Sequence, residues 1–192
     1  MCLLCSSPMT ADYSEQQLVN EFRRGNSSAF GMIYEHYKNN LCNYCYSVVK
    51  DQDVAEDIVH DVFLRIWDDI QTLNDPLSFR SWIFTITRRR VLNYLRDRKP
   101  LDGLTEAIQD NEESVLDSLV NQEQSALMDG MLNQLRPAYR ELLVLRIEGN
   151  LSYAEISAIT GLSLSSVRIH LYRARKALAK IYVELSGGKN DR

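Results

Sequence analysis

The stretch LSYAEISAITGLSLSSVRIHLYRARKAL, residues 151–178, has the pattern of a helix, a tight turn and a second helix rich in arginine. Ser152, followed three residues later by Glu155, is a predicted capping box, and Ser163 is the predicted N-cap of the second helix. Gly161 falls in the turn, where a positive φ angle favours glycine. This order of caps and turn is typical of a helix-turn-helix, whose second helix lies in the major groove of DNA.

The second helix of this unit has an apolar face at helical spacing, formed by Leu164, Val167, Leu171, Ala174 and Leu178. On the opposite side, the N-terminal part of such a helix meets base edges and the remainder meets phosphate. The predicted base contacts are Ser165, Ser166, Arg168, Ile169 and Arg173, and the predicted backbone contacts are Arg175, Lys176 and Lys180. Ile169 is apolar and faces outward, which suits contact with a thymine methyl group.

The overall charge of the chain is opposite to what DNA binding suggests, with a formal net charge of −4 and a pI of about 5.4. The charges are segregated along the sequence, however. Residues 80–99 hold seven basic residues and one acid, and residues 168–180 hold five basic residues and no acid. Residues 101–135 hold eight acids and no base. Because local charge determines where phosphate binds, both basic segments are candidate nucleic-acid surfaces.

Apolar residues recur at intervals of three and four throughout the chain, which predicts an all-α fold. We predict two small helical domains joined by an acidic flexible linker, the C-terminal domain being a helix-turn-helix bundle. The predicted parts are a flexible leader (1–13), an N-terminal domain (14–99), the linker (100–120), the C-terminal domain (121–185) and a tail (186–192). Predicted caps are Ser27 or Ser28 for the second helix and Asp53 for the third. The predicted buried stripe of the third helix contains Val54, Ile58, Val62 and Ile66.

Two further patterns lie in the N-terminal domain. Asp57, His60, Asp61 and Leu64 form an acidic patch with an apolar rim away from the buried stripe, which predicts a protein-docking face. The fourth predicted helix combines the first basic segment, which includes Arg96, with the aromatic residues Phe79, Trp82, Phe84 and Tyr94. A basic groove with stacking aromatics is typical of proteins that bind single-stranded nucleic acid. Core packing is an equally good explanation for some of these aromatic residues.

The four cysteines form two C-x-x-C pairs, Cys2/Cys5 and Cys42/Cys45, a spacing that zinc can use. Cys42 and Cys45 fall inside a helical pattern, which favours small buried thiols, although a redox or metal role of the two pairs stays open. His60 with its neighbouring acids lacks a further nitrogen ligand, so we predict no metal and no cofactor. No apolar run approaches the ~20 residues that span a membrane, and the N-terminus lacks the pattern of a signal peptide. We therefore expect a cytoplasmic protein without direct membrane insertion.

Together these motifs resemble the extracytoplasmic-function (ECF) group of bacterial sigma factors, the RNA polymerase subunits that find and open promoters. AEDIVHDVFLRIW, residues 55–67, is similar to the segment that docks on the clamp helices of polymerase. FRSWIFTITRRRVLNYLRDRK, residues 79–99, is similar to the segment that melts and recognises the minus-ten element. Residues 151–178 are similar to the unit that recognises the minus-thirty-five element. The resemblance extends over nearly all of residues 18–181.

The resemblance implies a role for each face. Asp57, His60 and Asp61 would contact core RNA polymerase. The loop of residues 73–78 would hold the melted strand of promoter DNA together with Arg80, Arg88, Arg89 and Asn93, and would form part of a pocket for a flipped base. The acidic linker would pass through the polymerase interior. A further implied partner is an anti-sigma factor, often anchored in a membrane. The sequence departs from the family pattern at Arg89, Asn93, Ile169 and His170, which bears on promoter sequence and not on the role.

Two other functions remain as alternatives. A free-standing helix-turn-helix regulator would bind a palindrome as a dimer, but it leaves the basic segment of residues 80–99 and the docking face unexplained. A helical adaptor that binds only proteins leaves the arginine-rich recognition helix unexplained. An enzyme is disfavoured because the sequence has no phosphate-binding loop and no nucleophile–base pair.

Overall fold

The computed structural model describes residues 14–98 and 122–187. These residues form the helices α1 (Glu15–Arg23), α2 (Ser27–Val49), α3 (Gln52–Asp69), α4 (Phe79–Arg98), α5 (Gln122–Asn133), α6 (Pro137–Glu148), α7 (Tyr153–Thr160) and α8 (Leu164–Gly187). Two 3₁₀ turns, Ile70–Thr72 and Pro76–Ser78, connect α3 to α4. No strand occurs in the described ranges, and the predicted all-α fold is confirmed. The predicted leader and acidic linker, and residues 188–192 of the predicted tail, lie outside the described residues.

Side-chain caps determine where α1 begins. The Ser14 hydroxyl accepts a hydrogen bond from the Gln17 backbone N–H at 3.3 Å, and the Gln17 side chain accepts one from the Ser14 N–H at 2.7 Å. This reciprocal pair is a capping box, which satisfies two of the N–H groups that a helix start leaves without a partner.

The predicted caps of α2 and α3 were wrong by one or two residues. Asn26, not Ser27 or Ser28, caps α2. Asp51 caps α3 by accepting from the N–H of Val54 at 3.1 Å, and the predicted cap Asp53 lies in the first turn of the helix. In each case the capping residue has extended backbone angles and a short carbonyl or carboxylate side chain, the combination that a cap requires.

The inner face of α3 supplies much of the core of the N-terminal half. The predicted stripe is confirmed at Ile58, Val62 and Ile66, which are buried, whereas Val54 is only half-buried. The neighbouring Ala55 takes the fully buried place at the start of the helix. Phe79 and Phe84 of α4 are also fully buried, so core packing accounts for these two aromatics.

The helix-turn-helix of α7 and α8 is formed by the caps that the sequence predicts. Ser152 and Glu155 make the capping box, with hydrogen bonds of 3.2 and 2.7 Å. Gly161 has φ +76°, which explains the glycine in the turn. The Ser163 hydroxyl accepts from the N–H of Ser166 at 3.1 Å and thereby caps α8.

The predicted buried face of α8 is confirmed at the centre of the helix, but the prediction is wrong at its first residue. Val167, Leu171 and Ala174 are fully buried against the rest of the C-terminal half. Leu164 is 39% exposed because it is the first residue of the helix, where neighbouring side chains cover it from one side only.

The two halves of the chain pack against each other, which the sequence did not predict. α6 packs on α2 and α7 packs on α4. The buried apolar side chains of residues 18–91 and of residues 135–174 belong to a single core cluster. The packing brings the helix-turn-helix half onto the helices that carry the first basic segment.

Candidate nucleic-acid and polymerase interfaces

The outer face of α8 presents most of the predicted DNA contacts to solvent. Burial of the opposite side of the helix directs this face away from the core. Ile169 is 49% exposed, Ser166 is half-buried, and the remaining predicted contacts are exposed: Ser165, Arg168, Arg173, Arg175 and Lys176. Tyr172 is 66% exposed on the same side and was not among the predicted contacts.

Hydroxyl groups cluster in the first turn of α8. The Ser163 hydroxyl lies 3.0 Å from that of Ser165 and 2.8 Å from that of Ser166. Each hydroxyl can donate or accept a hydrogen bond, so this turn can contact either base edges or phosphate oxygens. The positive end of the helix dipole at this terminus also favours phosphate.

With one exception, the basic side chains of this face are not engaged by acids of the chain. In the described ranges, the only ion pair of α8 joins Lys180, the last of the predicted backbone contacts, to Glu184 at 3.6 Å. The guanidinium of Arg175 lies 6.0 Å from the centre of the Tyr153 ring on α7. The other predicted basic contacts therefore extend into solvent with their charge available to phosphate.

His170, where the sequence departs from the family pattern, is directed toward the body of the C-terminal half. Its ring lies 5.5 Å from that of Tyr139 on α6. Its Nδ1 is buried and has no hydrogen-bond partner among the described residues. His170 therefore packs between helices instead of extending toward the DNA side.

Arg80 at the start of α4 is held within the N-terminal half. It donates to the Glu15 carboxylate at 2.6 Å and to the Tyr37 hydroxyl at 3.5 Å. Burial raises the pKa of Tyr37, so its hydroxyl keeps its proton. Beside Arg80 lies a cleft of about 350 Å³ lined by Ser14, Glu15, Gln16, Pro76, Leu77, Arg80 and Glu155.

Arg88, two turns further along α4, is held by the C-terminal half. Its Nε donates to Oε1 of Glu141 on α6 at 2.8 Å, and the Tyr44 hydroxyl donates to the same oxygen at 3.2 Å. The side chains of Arg88 and Glu141 are only 21% and 17% exposed. The contact therefore lies in the packed junction of α2, α4 and α6.

The other predicted minus-ten residues are more accessible. Arg89 and Asn93 are exposed and lie one turn apart on α4. Arg96 is exposed and lies 3.4 Å from Asp97. Trp82 is half-buried, with its ring centre 5.9 Å from that of Phe79, so it belongs partly to the core.

The predicted docking face of α3 is partly open and partly tied to α4. Asp57 and His60 are exposed, and Leu64 is 55% exposed. Asp61 is half-buried and accepts from Arg90 of α4, with the Nε contact at 3.1 Å. A cleft of about 330 Å³ between the two helices is lined by Val54, Asp57, Ile58, Asp61, Arg90, Tyr94, Asp97 and Arg98.

The cysteines that the structure describes are free thiols in the core. Cys45 is buried and Cys42 half-buried, and burial raises the pKa of both thiols, which disfavours the reactive thiolate. Among the described residues, no three His, Cys, Asp or Glu side chains are grouped as a metal site. Cys2 and Cys5 lie outside the described residues. None of the described helices combines the length and the apolar character needed to cross a membrane.

The structure thus arranges the predicted residues on separate faces of α3, α4 and α8. Sequence analysis missed Glu141 and Arg90, the partners of Arg88 and Asp61. The sequence does not indicate a partner for Glu141, because an acid on an amphipathic helix is ordinary and Arg88 is 53 residues away along the chain. Arg90 was visible only as one member of the basic segment.

Comparisons with known proteins identify a family for both halves of the chain. Residues 33–100 match the family model of sigma-70 region 2, and residues 125–178 match that of sigma-70 region 4. The chain is 31% identical to the RNA polymerase sigma factor YlaC of Bacillus subtilis over 156 residues, covering 77% of this chain and 88% of YlaC. It is 27% identical to the ECF sigma factor SigW of the same organism over 174 residues, covering 84% of this chain and 93% of SigW.

A solved structure supports the fold. The sigma factor RpoE of Bartonella quintana, in complex with the anti-sigma factor NepR, aligns with a TM-score of 0.61 at 24% identity. The alignment covers 85% of this chain and 98% of RpoE.

The N-terminal half therefore matches sigma-70 region 2 and the C-terminal half matches sigma-70 region 4. The chain belongs to the extracytoplasmic-function group of RNA polymerase sigma factors, which direct promoter recognition in transcription initiation. The resemblance seen in the sequence is confirmed.

Proposed function

We propose that the three faces have separate roles in initiation: α3 binds core RNA polymerase, α4 holds the melted minus-ten element, and α8 recognises the minus-thirty-five element. The observation that carries the proposal is the outer face of α8, which is exposed and basic and is directed outward by a fully buried inner face. A free-standing regulator would need only this face. It would have no use for the exposed patch on α3.

On α8, the first two turns are the proposed base-contacting part. The Arg168 guanidinium can bind a guanine through two hydrogen bonds, and the exposed side chain of Ile169 can contact a thymine methyl group. Ser165 and Ser166 supply further hydrogen-bonding groups, and Arg173 is within reach of base edges. Arg175 and Lys176 lie further along the helix and are proposed to hold the backbone.

On α4, the exposed Arg89 and Asn93 are proposed to contact the melted strand directly, with Arg96 holding phosphate one turn beyond. Trp82 is a further proposed contact, and Arg80 lines the cleft of about 350 Å³ beside the loop of residues 73–78. This cleft is the proposed receptor for a flipped base, because an extruded base requires a pocket with polar walls. Arg88 is the sixth proposed contact.

On α3, Asp57 and His60 form the polar part of the proposed polymerase-docking face, and Leu64 forms its apolar part. An exposed apolar side chain surrounded by polar groups is typical of a protein interface. Asp61 lies at the edge of this face, where Arg90 holds its carboxylate in place.

Partners and location follow from these roles. The proposed partners are core RNA polymerase, promoter DNA and an anti-sigma factor, since RpoE of Bartonella quintana was solved with such a factor. We propose domain limits of 14–99 and 121–185, an acidic linker between them and a cytoplasmic location. The protein is proposed to act by binding and positioning and not by catalysis.

Run-off transcription tests the proposal. Core bacterial polymerase would be assayed on the DNA upstream of the protein's own gene, with and without the protein. We expect defined transcripts only when the protein is present. The double variant His60→Ala/Leu64→Asp should lose polymerase binding and transcription but keep duplex DNA binding. Glu35→Gln, an exposed substitution on α2, is the matched control and should behave as wild type.

Failure would have a distinct signature. If no transcript forms while the free protein binds one duplex tightly and specifically, the stand-alone regulator replaces the sigma mechanism for this chain. If the docking variant transcribes as well as wild type, the polymerase-binding face lies elsewhere on the molecule.

A further inference from the structure

Lys50 ends α2 in a backbone conformation that lysine rarely adopts. It is the C-cap of the helix, with φ 60° and ψ 28°, in the left-handed region. Glycine or asparagine usually occupies such a place, because a larger side chain makes the left-handed conformation unfavourable. Of the two non-glycine residues with positive φ in the described ranges, the other is Asn150, one of the usual choices. The free-energy cost of this conformation in Lys50 points to a role for its side chain.

The amine of Lys50 lies between an aromatic ring and a neutral hydrogen-bond acceptor. Its Nζ is 5.6 Å from the centre of the Tyr46 ring, one turn back on α2. The same nitrogen donates a hydrogen bond to the side-chain oxygen of Asn133, the last residue of α5. An amide oxygen accepts this bond without the negative charge by which a carboxylate holds a proton on the nitrogen.

The surroundings of Lys50 lower the pKa of its amine to about 8. Partial burial is the main cause and the positive charge of Arg140 on α6 adds to it, although the carboxylate of Asp129 on α5 acts in the opposite direction. Hydrogen bonds to the backbone carbonyls of Leu132 and Asn133, at 2.9 and 3.0 Å, hold the Arg140 guanidinium in place. Lys50 is nevertheless exposed, so a reagent can reach a nitrogen that is often neutral and therefore nucleophilic.

Lys38 on the same helix has the same aromatic contact and the opposite electrostatic setting. Its Nζ also lies 5.6 Å from the centre of a tyrosine ring, that of Tyr34. It forms an ion pair with the Glu35 carboxylate at 2.7 Å, and this hydrogen bond raises the pKa of the Lys38 amine. The two lysines are therefore distinguished by the polar groups around the nitrogen, which are a carboxylate at Lys38 and an amide with a nearby guanidinium at Lys50.

We infer that Lys50 is a modification site, whose amine accepts a small activated acyl group from an acyl phosphate or an acyl thioester. Nζ attacks the carbonyl carbon, so a C–N bond forms and the C–O bond to phosphate or the C–S bond to the thiol breaks. The proton lost from nitrogen leaves with the phosphate or the thiolate, and no oxidant or reductant is needed. A lysine that is partly desolvated and beside another cation is activated for this kind of attack. The acyl-lysine that forms carries no positive charge.

The test measures how fast each lysine of the full-length protein is acetylated. The probes are acetyl phosphate in one series and acetyl coenzyme A in the other, and peptide mass spectrometry gives the rate at each site. We expect Lys50 to react on the order of tenfold faster than Lys38 at neutral to mildly alkaline pH, because more of its amine is neutral. The rate at Lys50 should level off above pH of about 8, whereas the rate at Lys38 should continue to rise. The donor that gives the faster selective reaction identifies the source of the acyl group.

Two substitutions exchange the settings of the two lysines. Asn133→Asp places a carboxylate against the Lys50 amine, so the rate at Lys50 should fall toward that of Lys38 and its pH profile should shift upward. Glu35→Gln removes the carboxylate from Lys38 and should accelerate the reaction there. Asn39→Asp makes the same charge change as Asn133→Asp on an exposed part of α2, and it should leave the rate at Lys50 unchanged. Thermal unfolding followed by circular dichroism checks that each variant is folded.

The inference is overturned if neither donor acetylates Lys50 faster than Lys38. It is also overturned if folded Asn133→Asp keeps the wild-type rate and pH profile at Lys50, because the groups around the amine then do not determine its reactivity. Selective acetylation of Lys50 by either donor, lost in Asn133→Asp and kept in Asn39→Asp, supports it. The result does not depend on the proposed roles of α3, α4 and α8, which run-off transcription tests separately.

Discussion

α4 and α8 are both basic helices proposed to bind DNA, yet their charged groups are in opposite situations. On α4, Arg80 is paired with Glu15, Arg88 with Glu141 and Arg90 with Asp61. On the proposed DNA face of α8, the basic residues have no acidic partner among the described residues. Three arginines of α4 are held by carboxylates of the protein, whereas the basic side chains on the outer face of α8 are presented to solvent.

The difference indicates how an acidic protein can contain two nucleic-acid surfaces. An unpaired, exposed arginine exchanges only water and counterions for phosphate, so the proposed duplex contacts of α8 require no ion pair to break. An arginine in a half-buried ion pair must first lose its carboxylate, and that loss leaves a half-buried acid without its partner. Binding through Arg80 and Arg88 of α4 therefore requires a rearrangement that binding through α8 does not.

The largest expected effect tests whether the buried face of α8 is what keeps its basic outer face directed to solvent. Leu171 is fully buried, so Leu171→Ala should lower the free energy of unfolding by about 2–5 kcal/mol, through lost burial and the cavity left behind. The measurement is chemical denaturation of the full chain. Binding of minus-thirty-five duplex should weaken with it, because the outer face loses its support.

Ile169→Ala is the matched control for this substitution. It removes an aliphatic side chain two residues away that is 49% exposed, so its effect on unfolding should be small. Its effect on duplex binding should appear only when the element contains the contacted thymine, and replacing that thymine by deoxyuridine should have the same effect. Equal destabilisation by the two variants would mean that α8 is not oriented as described.

The next prediction distinguishes a sequence-specific base contact of α8 from a phosphate contact that any DNA sequence offers. Arg168→Ala should weaken binding to the minus-thirty-five duplex by about 1–3 kcal/mol if the guanidinium contacts a base. The loss should be confined to the specific element, because unrelated duplexes provide only phosphate. Lys180→Ala, at the last predicted backbone contact and beside Glu184, is the comparison variant, and its small loss should be equal on all duplexes. Equal loss on all duplexes would make Arg168 a phosphate contact.

The sequence predicts α8 and its surroundings better than it predicts α4. The caps Ser152 and Ser163, and the positive φ of Gly161, are local features that depend on neighbours a few residues away. Local hydrogen bonding and backbone geometry therefore suffice to locate the helix-turn-helix. The errors at the caps of α2 and α3 have the same origin, since adjacent polar residues compete for the role and small differences in backbone angle decide between them.

The packing of the halves is not predictable in this way. Glu141 and Arg88 are separated by 53 residues and Asn40 and Glu148 by 108, and nothing in the local pattern of any of them indicates a partner. The basic segment of α4 was predicted to be a nucleic-acid surface from its charge and its aromatic residues. Which of its arginines form ion pairs depends on tertiary contacts. Arg88 is paired with Glu141, whereas the adjacent Arg89 is exposed.

The smallest expected effect is a pH dependence of the packing of α6 on α2, where the carboxylate of Glu148 is buried. Burial raises the pKa of Glu148, and repulsion from Asp129 adds to this, although the hydrogen bond from Asn43 acts in the opposite direction. When α6 leaves α2, Glu148 regains water and its pKa returns toward the ordinary value. The packed form therefore binds the proton more tightly than the separated form does.

The sign of the pH effect follows from this difference. The contribution of Glu148 to packing is fully present below its ordinary pKa and is lost as the pH rises through the raised pKa of the packed form. Acidification from neutral pH should thus favour the packed form, by at most about tenfold per pH unit for a single proton. Small-angle X-ray scattering of the free chain would follow the change in dimensions, and binding of the minus-ten strand should weaken in parallel.

Glu148→Gln mimics the protonated side chain and leaves the backbone carbonyl that accepts from Asn40. This variant should be compact over the whole range and should lose most of the pH dependence. What remains should come from Asp129, whose pKa burial raises, and from Lys50, whose pKa burial lowers to about 8. Glu35→Gln should keep the pH dependence of wild type. If Glu148→Gln keeps the wild-type pH dependence, the proton is taken up elsewhere than at the contact of α6 with α2. The ion pairing that distinguishes α4 from α8 then does not depend on the Glu148 carboxylate.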